Sequence, residues 1–515
     1  MTKKIYLYCF VLSLILTPQL SLAQKDINEK QVLKVRLYGD LKSMDWHYTL
    51  GHRARWVLDN VMEGLFSRRP NNQLQPFLLE KWKLGKNGKT YTFHLMKKVK
   101  WSDGVEMTAN DFIFAWKKLL SPKSGTHYPS AFNEIVGAKD YYSGKIKSFK
   151  KVGIKKIDKY TLQVKLKRQV SGWEGVLSST PTFPMREDLH KKYGKEWTDV
   201  KNIVTIGPYK IAERVLGQKI VLERNPHYYG KKAKIPKVEA IVVENEQTAI
   251  KLFLSGKLDV AQMVSDLSYK NQVPKSSVKF SKPIGVTQLG FSIKNPKVKN
   301  KHLRRAIAHA INRKLFKKLM GDHVQTANRF VPSFLNESDR PIGPQFDLRK
   351  ASKELKKSGF NLKDKLVIDV ASSGDNKTLA ELIQSQLKNH LGLKVEVNLL
   401  ELNLAHDRRS KHESQMYLVG QAANNLTSLA YVGIFSNPEN FSAYDSKEFN
   451  KLLDQANKLS GYEQSQVVEQ AEEILLNSAV TIPLYWSKMA TLLNPKIKTY
   501  KSAPNGVGYL ATVSY

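Results

Sequence analysis

The sequence predicts a mixed α/β protein of two or three lobes, and three observations support this. Its 515 residues exceed what one hydrophobic core supports, because cores stop growing near roughly 250–300 residues. Hydrophobic residues make up 41% and charged residues 25% of the chain, an ordinary globular composition that argues against disorder and against a multi-span membrane protein. Segments with alternating apolar residues are interspersed with segments of helical spacing.

Residues 1–23 have the three-part pattern of a secretory signal peptide. A lysine pair precedes an apolar run from Ile5 to Leu16, and small residues at positions 21 and 23 offer a cleavage site. The run is too short to span a bilayer comfortably, so we expect cleavage, with an uncleaved anchor as the alternative. Cys9, the single cysteine, lies inside the run and offers no lipid attachment site, so the exported chain would carry no disulfide and no lipid.

Short alternating segments predict strands in the first half of the chain. They are residues 34–38, 91–95, 161–166 and 219–223. Between them, Thr108 and Asp111 have the spacing of a capping box, and Phe112, Ala115 and the residues that follow continue at helical spacing. A second apolar stripe over 303–311 predicts a helix near the middle, with Arg304 and Arg305 on its solvated face.

The clearest unit lies between residues 366 and 399. A strand pattern at 366–370 is followed by a helical stripe that ends at Gly392, and a second strand pattern occupies 395–399. A strand, a crossover helix and a strand in about 34 residues predict a βαβ unit with parallel pairing. Two amphipathic helices follow, over 449–456 and 467–475.

The sequence carries no convincing enzyme motif. Gly88-Lys89-Thr90 resembles the end of a phosphate loop, but Lys83 stands where the first glycine is required. The dinucleotide-like pattern that begins at Gly506 leaves only four residues after it, too few for the helix and strand that the fingerprint needs. His302 and His309 are expected to be solvated on a basic helix rather than bound to metal. We therefore expect a protein that is not an enzyme and uses no cofactor and no metal.

Several blocks, in order and at the expected spacing, resemble the family 5 extracellular solute-binding proteins, the oligopeptide- and dipeptide-binding receptors of ABC importers. The similarity extends from about residue 33 to the C-terminus. The blocks are Ser43-Met44-Asp45, residues 60–66, Lys100-Trp101-Ser102-Asp103-Gly104, residues 108–112, Thr205-Ile206-Gly207-Pro208-Tyr209, residues 223–229, residues 291–294, residues 303–313 and Ile482-Pro483-Leu484-Tyr485.

The resemblance implies a two-lobed periplasmic binding protein with an inserted subdomain and two hinge crossovers. Lobe I would comprise residues 24–58, 186–283 and 497–515, the inserted subdomain residues 59–185, and lobe III residues 284–496. The implied function is that of a monomeric periplasmic receptor, which captures peptides in the cleft between its lobes and delivers them to the permease subunits of an ABC transporter. A peptide-binding sensor or chaperone on the same scaffold, a receptor for a non-peptide solute and a secreted hydrolase are the alternatives.

The chain departs from the family at the ligand's amino terminus. Family members hold the peptide α-ammonium with an Asp, and the ungapped match puts Ala422 at that position. The family's acid in the first lobe is matched by Leu50. Two lost acids predict weak recognition of a free N-terminus, since a buried ammonium without a carboxylate is costly. The candidate ligand-binding residues are Leu50, Gly51, His52, Tyr128, Gln421, Asn424 and Asn425; Tyr128 could equally be a core residue of the subdomain.

The chain carries 83 Lys and Arg residues against 46 Asp and Glu residues, a net charge of +37. Lysine-dense runs at 150–156 and 231–234 could suggest nucleic acid or anionic lipid as a partner. Because the lysines are spread along the chain without an arginine-rich cluster, a solvated basic surface and no specific nucleic acid are expected.

Overall fold

A computed structural model describes most of the chain. The described residues are 31–41, 43–48, 52–67, 73–122, 124–126, 130–170, 172–264, 267–335, 340–372, 375–423, 426–437, 439–504 and 506–515, without the side chains of residues 52, 130, 267 and 268. The predicted signal peptide therefore lies outside the described residues.

Helices and strands alternate along the described chain. The α-helices are α1 (His52–Val61), α2 (Ala109–Leu119), α3 (Ala138–Tyr142), α4 (Glu187–Tyr193), α5 (Glu246–Leu254), α6 (Lys301–Ala310), α7 (Lys314–Met320), α8 (Leu348–Ser358), α9 (Asn376–Leu391), α10 (Leu402–Ser410), α11 (Ser428–Gly433), α12 (Lys447–Ala456) and α13 (Gly461–Ser478). The strands are β1 (Val32–Leu37), β2 (Phe66–Ser67), β3 (Gln75–Pro76), β4 (Leu79–Leu84), β5 (Thr90–Leu95), β6 (Ile154–Asp158), β7 (Thr161–Lys165), β8 (Tyr209–Val215), β9 (Lys219–Arg224), β10 (Lys237–Val242), β11 (Val260–Val264), β12 (Val278–Phe280), β13 (Gly285–Phe291), β14 (Val324–Thr326), β15 (Lys365–Ala371), β16 (Lys394–Leu400), β17 (Met416–Gln421), β18 (Thr481–Ser487) and β19 (Ala490–Leu493).

The first sheet has seven strands in the order β12-β19-β11-β1-β10-β9-β8. Its centre is parallel, because β1 pairs with β10 and with β11 in that sense, whereas the outer strands are antiparallel. The predicted strands at 34–38 and 219–223 are confirmed as β1 and β9. β19 pairs within this sheet, although its residues fall inside the range 284–496 predicted for lobe III. The lobe boundaries stay a prediction.

The second sheet has six strands in the order β14-β18-β13-β17-β15-β16. β15 and β16 pair in parallel from Lys365 opposite Lys394 to Ala371 opposite Leu400, with α9 between them in sequence. The predicted βαβ unit is therefore confirmed. α9 is followed by its C-cap Gly392, which adopts the left-handed conformation that favours glycine. The helix buries Leu379, Ile383 and Leu387 against the sheet.

A four-stranded antiparallel sheet, β4-β5-β7-β6, forms the centre of the segment between α1 and α4. The predicted capping box is confirmed at the start of α2, where Thr108 and Asp111 bind each other's backbone N–H groups. Trp101 and Trp116 are fully buried beside it and anchor the core of this segment.

Hydrogen bonds between distant blocks explain the residue types that resemble the family. Glu63, which is buried, accepts hydrogen bonds from the hydroxyls of Tyr228 at 2.7 Å and Tyr229 at 2.5 Å. A Cβ at Gly207 would lie 2.6 Å from the carbonyl carbon of Val61, so only glycine fits there. These residues hold the chain segments together and therefore identify the scaffold rather than the ligand.

Two expectations about α6 are wrong. Arg304 is buried, not solvated, because its guanidinium donates to the carbonyls of Val298, Lys299 and Ser478. His309 is also buried, and its Nδ1 donates to the carbonyl of Gln345 at 2.6 Å. Both polar groups therefore satisfy backbone carbonyls inside the fold.

Candidate functional site

Two short crossovers, residues 281–284 and 488–489, connect the seven-stranded and six-stranded sheets. Ser281 N–H donates to the carbonyl of Met489 at 2.9 Å, and Met489 N–H donates to Ser281 Oγ at 2.9 Å. Gly285 lies opposite Ser487 where the second sheet begins. Two adjacent crossovers form a narrow connection about which two rigid sheets can rotate.

The carboxyl ends of the parallel strands in both sheets lie on the side of these crossovers. In the first sheet, Val264 at the end of β11 pairs with Ala490, and β1 and β10 run parallel to β11. In the second sheet, Gln421 at the end of β17 pairs with Val286, and β15 and β16 run parallel to β17. Because open α/β sheets bind ligands outside the carboxyl ends of their strands, the crevice between the two sheets is the candidate binding site.

Arg36 lies at the rim of the crevice on the first sheet, where the rim is the edge formed by the carboxyl ends of the parallel strands. It is buried at the end of β1, and its guanidinium donates to the carbonyls of Val243 and Glu244, each at 2.9 Å. It reaches the carbonyls of Gln262 and Met263 at 3.3 and 3.4 Å as well. Burial lowers the pKa of Arg36. The residue thus ties the ends of β1, β10 and β11 together and uses its donors on the protein itself.

Gln421 is held at the end of β17 by a polar chain inside the second sheet. Gln288 Nε2 donates to Gln421 Oε1 at 2.8 Å, and Thr481 Oγ1 donates to Gln288 Oε1. Gln288 and Thr481 are buried, whereas Gln421 is half-buried. The next residue, Ala422, is exposed and presents a methyl group, and its match to the family's carboxylate position stays a prediction.

Tyr431 joins the rim of the second sheet to the first crossover. Its hydroxyl donates to the carbonyl of Ile284, and the hydroxyl oxygen accepts a hydrogen bond from the backbone N–H of Ala423. Burial raises the pKa of Tyr431, so the hydroxyl stays neutral. Since Ala423 directly follows Ala422, Tyr431 connects the first crossover to this part of the rim.

Asp375 contributes a carboxylate near this rim. It is exposed at the start of α9, and burial together with the Asp375 charge raises the pKa of Tyr485 in β18 to about 12. Asp375, like Arg36, Gln288 and Tyr431, is not among the sequence-predicted site residues. Asp375 precedes the helix of the predicted βαβ unit, so the carboxyl-end rule was the signal that could have pointed to it.

Most of the sequence-predicted site residues lie outside the described residues. These are Leu50, Gly51, Tyr128, Asn424 and Asn425. His52 opens α1, with its backbone alone described, and Gln421 lies at the carboxyl end of β17. The site assignment therefore stays a prediction.

Among the described residues, no cluster of three or more His, Cys, Asp or Glu side chains could hold a metal ion. None of the helices in the described part of the chain has the length and hydropathy needed to cross a bilayer. The geometry can enclose a solute between two sheets.

A second contact between the sheets lies beside the crossovers. The hydroxyl of Tyr269 is 2.7 Å from His323 Nε2, both side chains are buried, and the carbonyl of His323 accepts from Lys488 N–H at 2.7 Å. The ring of Phe280 packs edge-on against the imidazole at 5.2 Å. Burial and, next, the Lys270 charge lower the pKa of His323 to about 4. The other charged groups around it are Glu246, Asp322 and Lys317.

This imidazole predicts a loss of stability in mild acid. Because the pKa of His323 is lower in the folded state than the ordinary value near 6.5, the unfolded chain binds more protons between about pH 6.5 and pH 4, and stability falls as the pH drops through that window. From pH 7.5 to pH 5 the expected loss of unfolding free energy is about 2 kcal/mol. Urea titrations of the wild type and of His323→Gln at both pH values should show this component only in the wild type. Exposed His227→Gln serves as the control, and equal pH dependence in all three proteins would contradict the assignment.

Comparison with known proteins places this fold among exported binding proteins. A model of the bacterial extracellular solute-binding proteins, family 5 (middle region), matches residues 73–466. The dipeptide-binding protein DppE of Bacillus subtilis is 28% identical over 473 residues, covering 88% of this chain and 86% of the relative. The periplasmic oligopeptide-binding protein OppA of Salmonella typhimurium is 27% identical over 497 residues, covering 92% and 90%. The unliganded open form of the murein tripeptide-binding protein MppA has a TM-score of 0.81 at 24% identity, covering 94% of this chain and 97% of that chain, and at this identity it shows the fold alone.

Proposed function

The chain belongs to the bacterial extracellular solute-binding proteins of family 5, and from this we propose that it captures peptides in the crevice between its two sheets and delivers them to the permease of an ABC transporter. Proteins of this family are binding components and not enzymes. Relatives that match nearly the whole chain are named for dipeptide and oligopeptide binding. The observation that carries the proposal is the convergence of the parallel strands' carboxyl ends at the paired crossovers.

Closure would follow from differential affinity. A peptide that contacts both rims gains contacts only when the sheets approach each other, so it shifts the equilibrium towards the closed state. Extended peptide backbone can pair with strand edges while its side chains occupy wet pockets, which gives affinity with little sequence preference.

We further propose that the receptor does not depend on a free peptide N-terminus. Ala422 offers no carboxylate, and the polar chain through Gln288 and Gln421 offers only neutral groups. Peptides bound through backbone and apolar contacts, including N-blocked or murein-derived peptides, fit this rim.

A paired selection tests both proposals. The exported protein is incubated with random tri- to pentapeptide libraries, free or N-acetylated, and mass spectrometry identifies what it retains after gel filtration. We then expect titration calorimetry to give affinities within about threefold for the free and acetylated forms of one enriched peptide, since a charge-assisted hydrogen bond would contribute about 10-fold or more.

The two proposals fail in different ways. A preference of tenfold or more for the free amine would contradict independence from the N-terminus while leaving peptide binding intact. Retention of no peptide from either library would contradict peptide binding and favour a non-peptide solute.

We propose a periplasmic location, in line with the relatives named as periplasmic, reached through cleavage after residue 23 without lipidation. Intact mass of the exported protein tests this, since an added lipid or a retained leader changes the mass by a defined amount. The proposed lobes are residues 24–58, 186–283 and 497–515 for lobe I, residues 59–185 for the inserted subdomain, and residues 284–496 for lobe III.

A further inference from the structure

Positive charge is concentrated in the segment that contains the four-stranded sheet. Residues 79–168 hold 21 Lys and Arg residues against 7 Asp and Glu residues, an excess of 14 in 90 residues. The other 425 residues carry the remaining 23 of the net charge of +37, so the charge density of this segment is about three times higher. Its one arginine, Arg168, forms a two-pronged pair with Glu134, and the other cations are lysines.

The strand register places lysines on the outer face of this sheet. Lys83 pairs with Thr92, Thr92 with Gln163, and Gln163 with Lys155, so these four residues form one row across all four strands. Residues that pair across strands share a face, and the neighbouring row, which includes Phe93, is the buried one.

Two further lysines lie on the same face of the sheet, in rows beside this one. Lys81 lies two residues before Lys83 in β4, and Lys165 lies two residues after Gln163 in β7, so both point to the same side. We call Lys81, Lys83, Lys155 and Lys165 the lysine face. Their strands span about 14 Å from edge to edge, at a spacing of about 4.8 Å.

The lysine face is exposed, and the ion pairs of the segment lie elsewhere. All four side chains are exposed, and two acids of the segment pair with other cations: Glu106 with Lys159, and Glu134 with Arg168. The centre of the outer face is polar and is formed by threonines, Gln163 and His94. The two acids at its margin are Glu80 and Asp158.

We propose that the lysine face docks on the anionic phospholipid headgroups of a membrane surface. Lysine is a hydrated point charge, suited to diffuse attraction by a charged surface, whereas recognition of individual phosphates favours the two-pronged geometry of arginine. The outer rows hold no Phe, Tyr or Trp on which nucleic acid bases could stack, which favours lipid over nucleic acid. Weak docking would concentrate the receptor near the membrane in which its permease lies.

Vesicle sedimentation tests the proposal. The exported protein is mixed with phosphatidylcholine vesicles with or without about 30 mol% phosphatidylglycerol, at about 50 and 300 mM salt. We expect binding only to the anionic vesicles and a steep loss at the higher salt. The quadruple variant Lys81→Gln, Lys83→Gln, Lys155→Gln and Lys165→Gln should lower the partition coefficient at least tenfold, because each lysine near an anionic surface contributes about fivefold.

A matched variant separates this face from net charge. Lys353, Lys356, Lys388 and Lys394 are exposed on α8, α9 and β16, and their replacement by Gln changes the net charge equally. This control should bind vesicles like the wild type, and circular dichroism melts should agree for all three proteins. Equal losses in both variants, absence of binding to anionic vesicles, or tighter binding to a DNA duplex than to vesicles at the same salt would each overturn the proposal.

Discussion

Replacing Glu472 by Gln is expected to lower the free energy of unfolding by about 3 kcal/mol, because it removes one charge of a buried ion pair. Glu472 in α13 is fully buried, and its Oε2 lies 2.6 Å from Nη2 of Arg329, which is also buried. Burial raises the pKa of Glu472, and Arg329 opposes that shift. Glu469 also pairs with Arg329, at 3.2 Å, and this contact is kept after the substitution.

The carboxylate also organises the backbone near the crossovers. Glu472 Oε1 accepts from Phe330 N–H at 2.6 Å and from Val331 N–H at 2.9 Å. The carbonyl of Phe330 accepts a hydrogen bond from Trp486 Nε1 at 3.3 Å, and the Phe330 ring packs edge-on against Phe435. Glu472 therefore supports the segment that packs on β18, and its loss should weaken the second sheet beside the crevice.

The adjacent glutamate provides the control. Glu473 is half-exposed and pairs with Arg340 at 3.3 Å on the surface, so Glu473→Gln should cost at most about 1 kcal/mol. Urea unfolding followed by circular dichroism at pH 7.5 measures both variants. Equal urea midpoints for the two would show that the buried pair contributes no more than the surface one.

Sequence patterns correctly predicted those elements whose formation depends on residues close together in the chain. The capping box of α2 and the βαβ unit were predicted, because capping and periodicity depend on residues close in the chain. The sheet to which β19 belongs could not be predicted from local pattern. Only two residues separate β19 from β18, and tertiary pairing with β11 decides which sheet it joins.

Buried charges escaped prediction for a physical reason. Arg36 lies within the alternating segment that predicted β1, which gave no sign of its contacts, and Arg304 was expected on the solvated face of α6. Their acceptors are backbone carbonyls, and those of Arg36 lie more than 200 residues away in the chain, at Val243 and Met263. No local signal marks such acceptors. At the candidate site, the family resemblance predicted that position 422 has lost an acid, whereas Gln288 and Tyr431 could be found only from the three-dimensional register.

Introducing a carboxylate at the altered position should make the receptor sensitive to the ligand's amino terminus. In Ala422→Asp, we expect the ratio of affinities for a free and an N-acetylated form of one peptide to rise by about tenfold or more, because a hydrogen bond to a charged group contributes about 1.5–3 kcal/mol. Ala422 is exposed and directly follows the half-buried Gln421, so an Asp there avoids the core. Titration calorimetry with both peptide forms measures the ratio.

Ala422→Asn separates charge from size, since it adds a side chain of the same shape without the negative charge. It should leave the ratio near that of the wild type. If the wild type already prefers the free amine and Ala422→Asp changes nothing, the ammonium finds its carboxylate elsewhere, and the exposed Asp375 at the carboxyl end of β15 becomes the residue to replace. A rise in the ratio for Asp alone would instead mean that this rim faces the ligand's amino terminus and that the natural alanine removes a charge contact that the crevice is otherwise shaped to make.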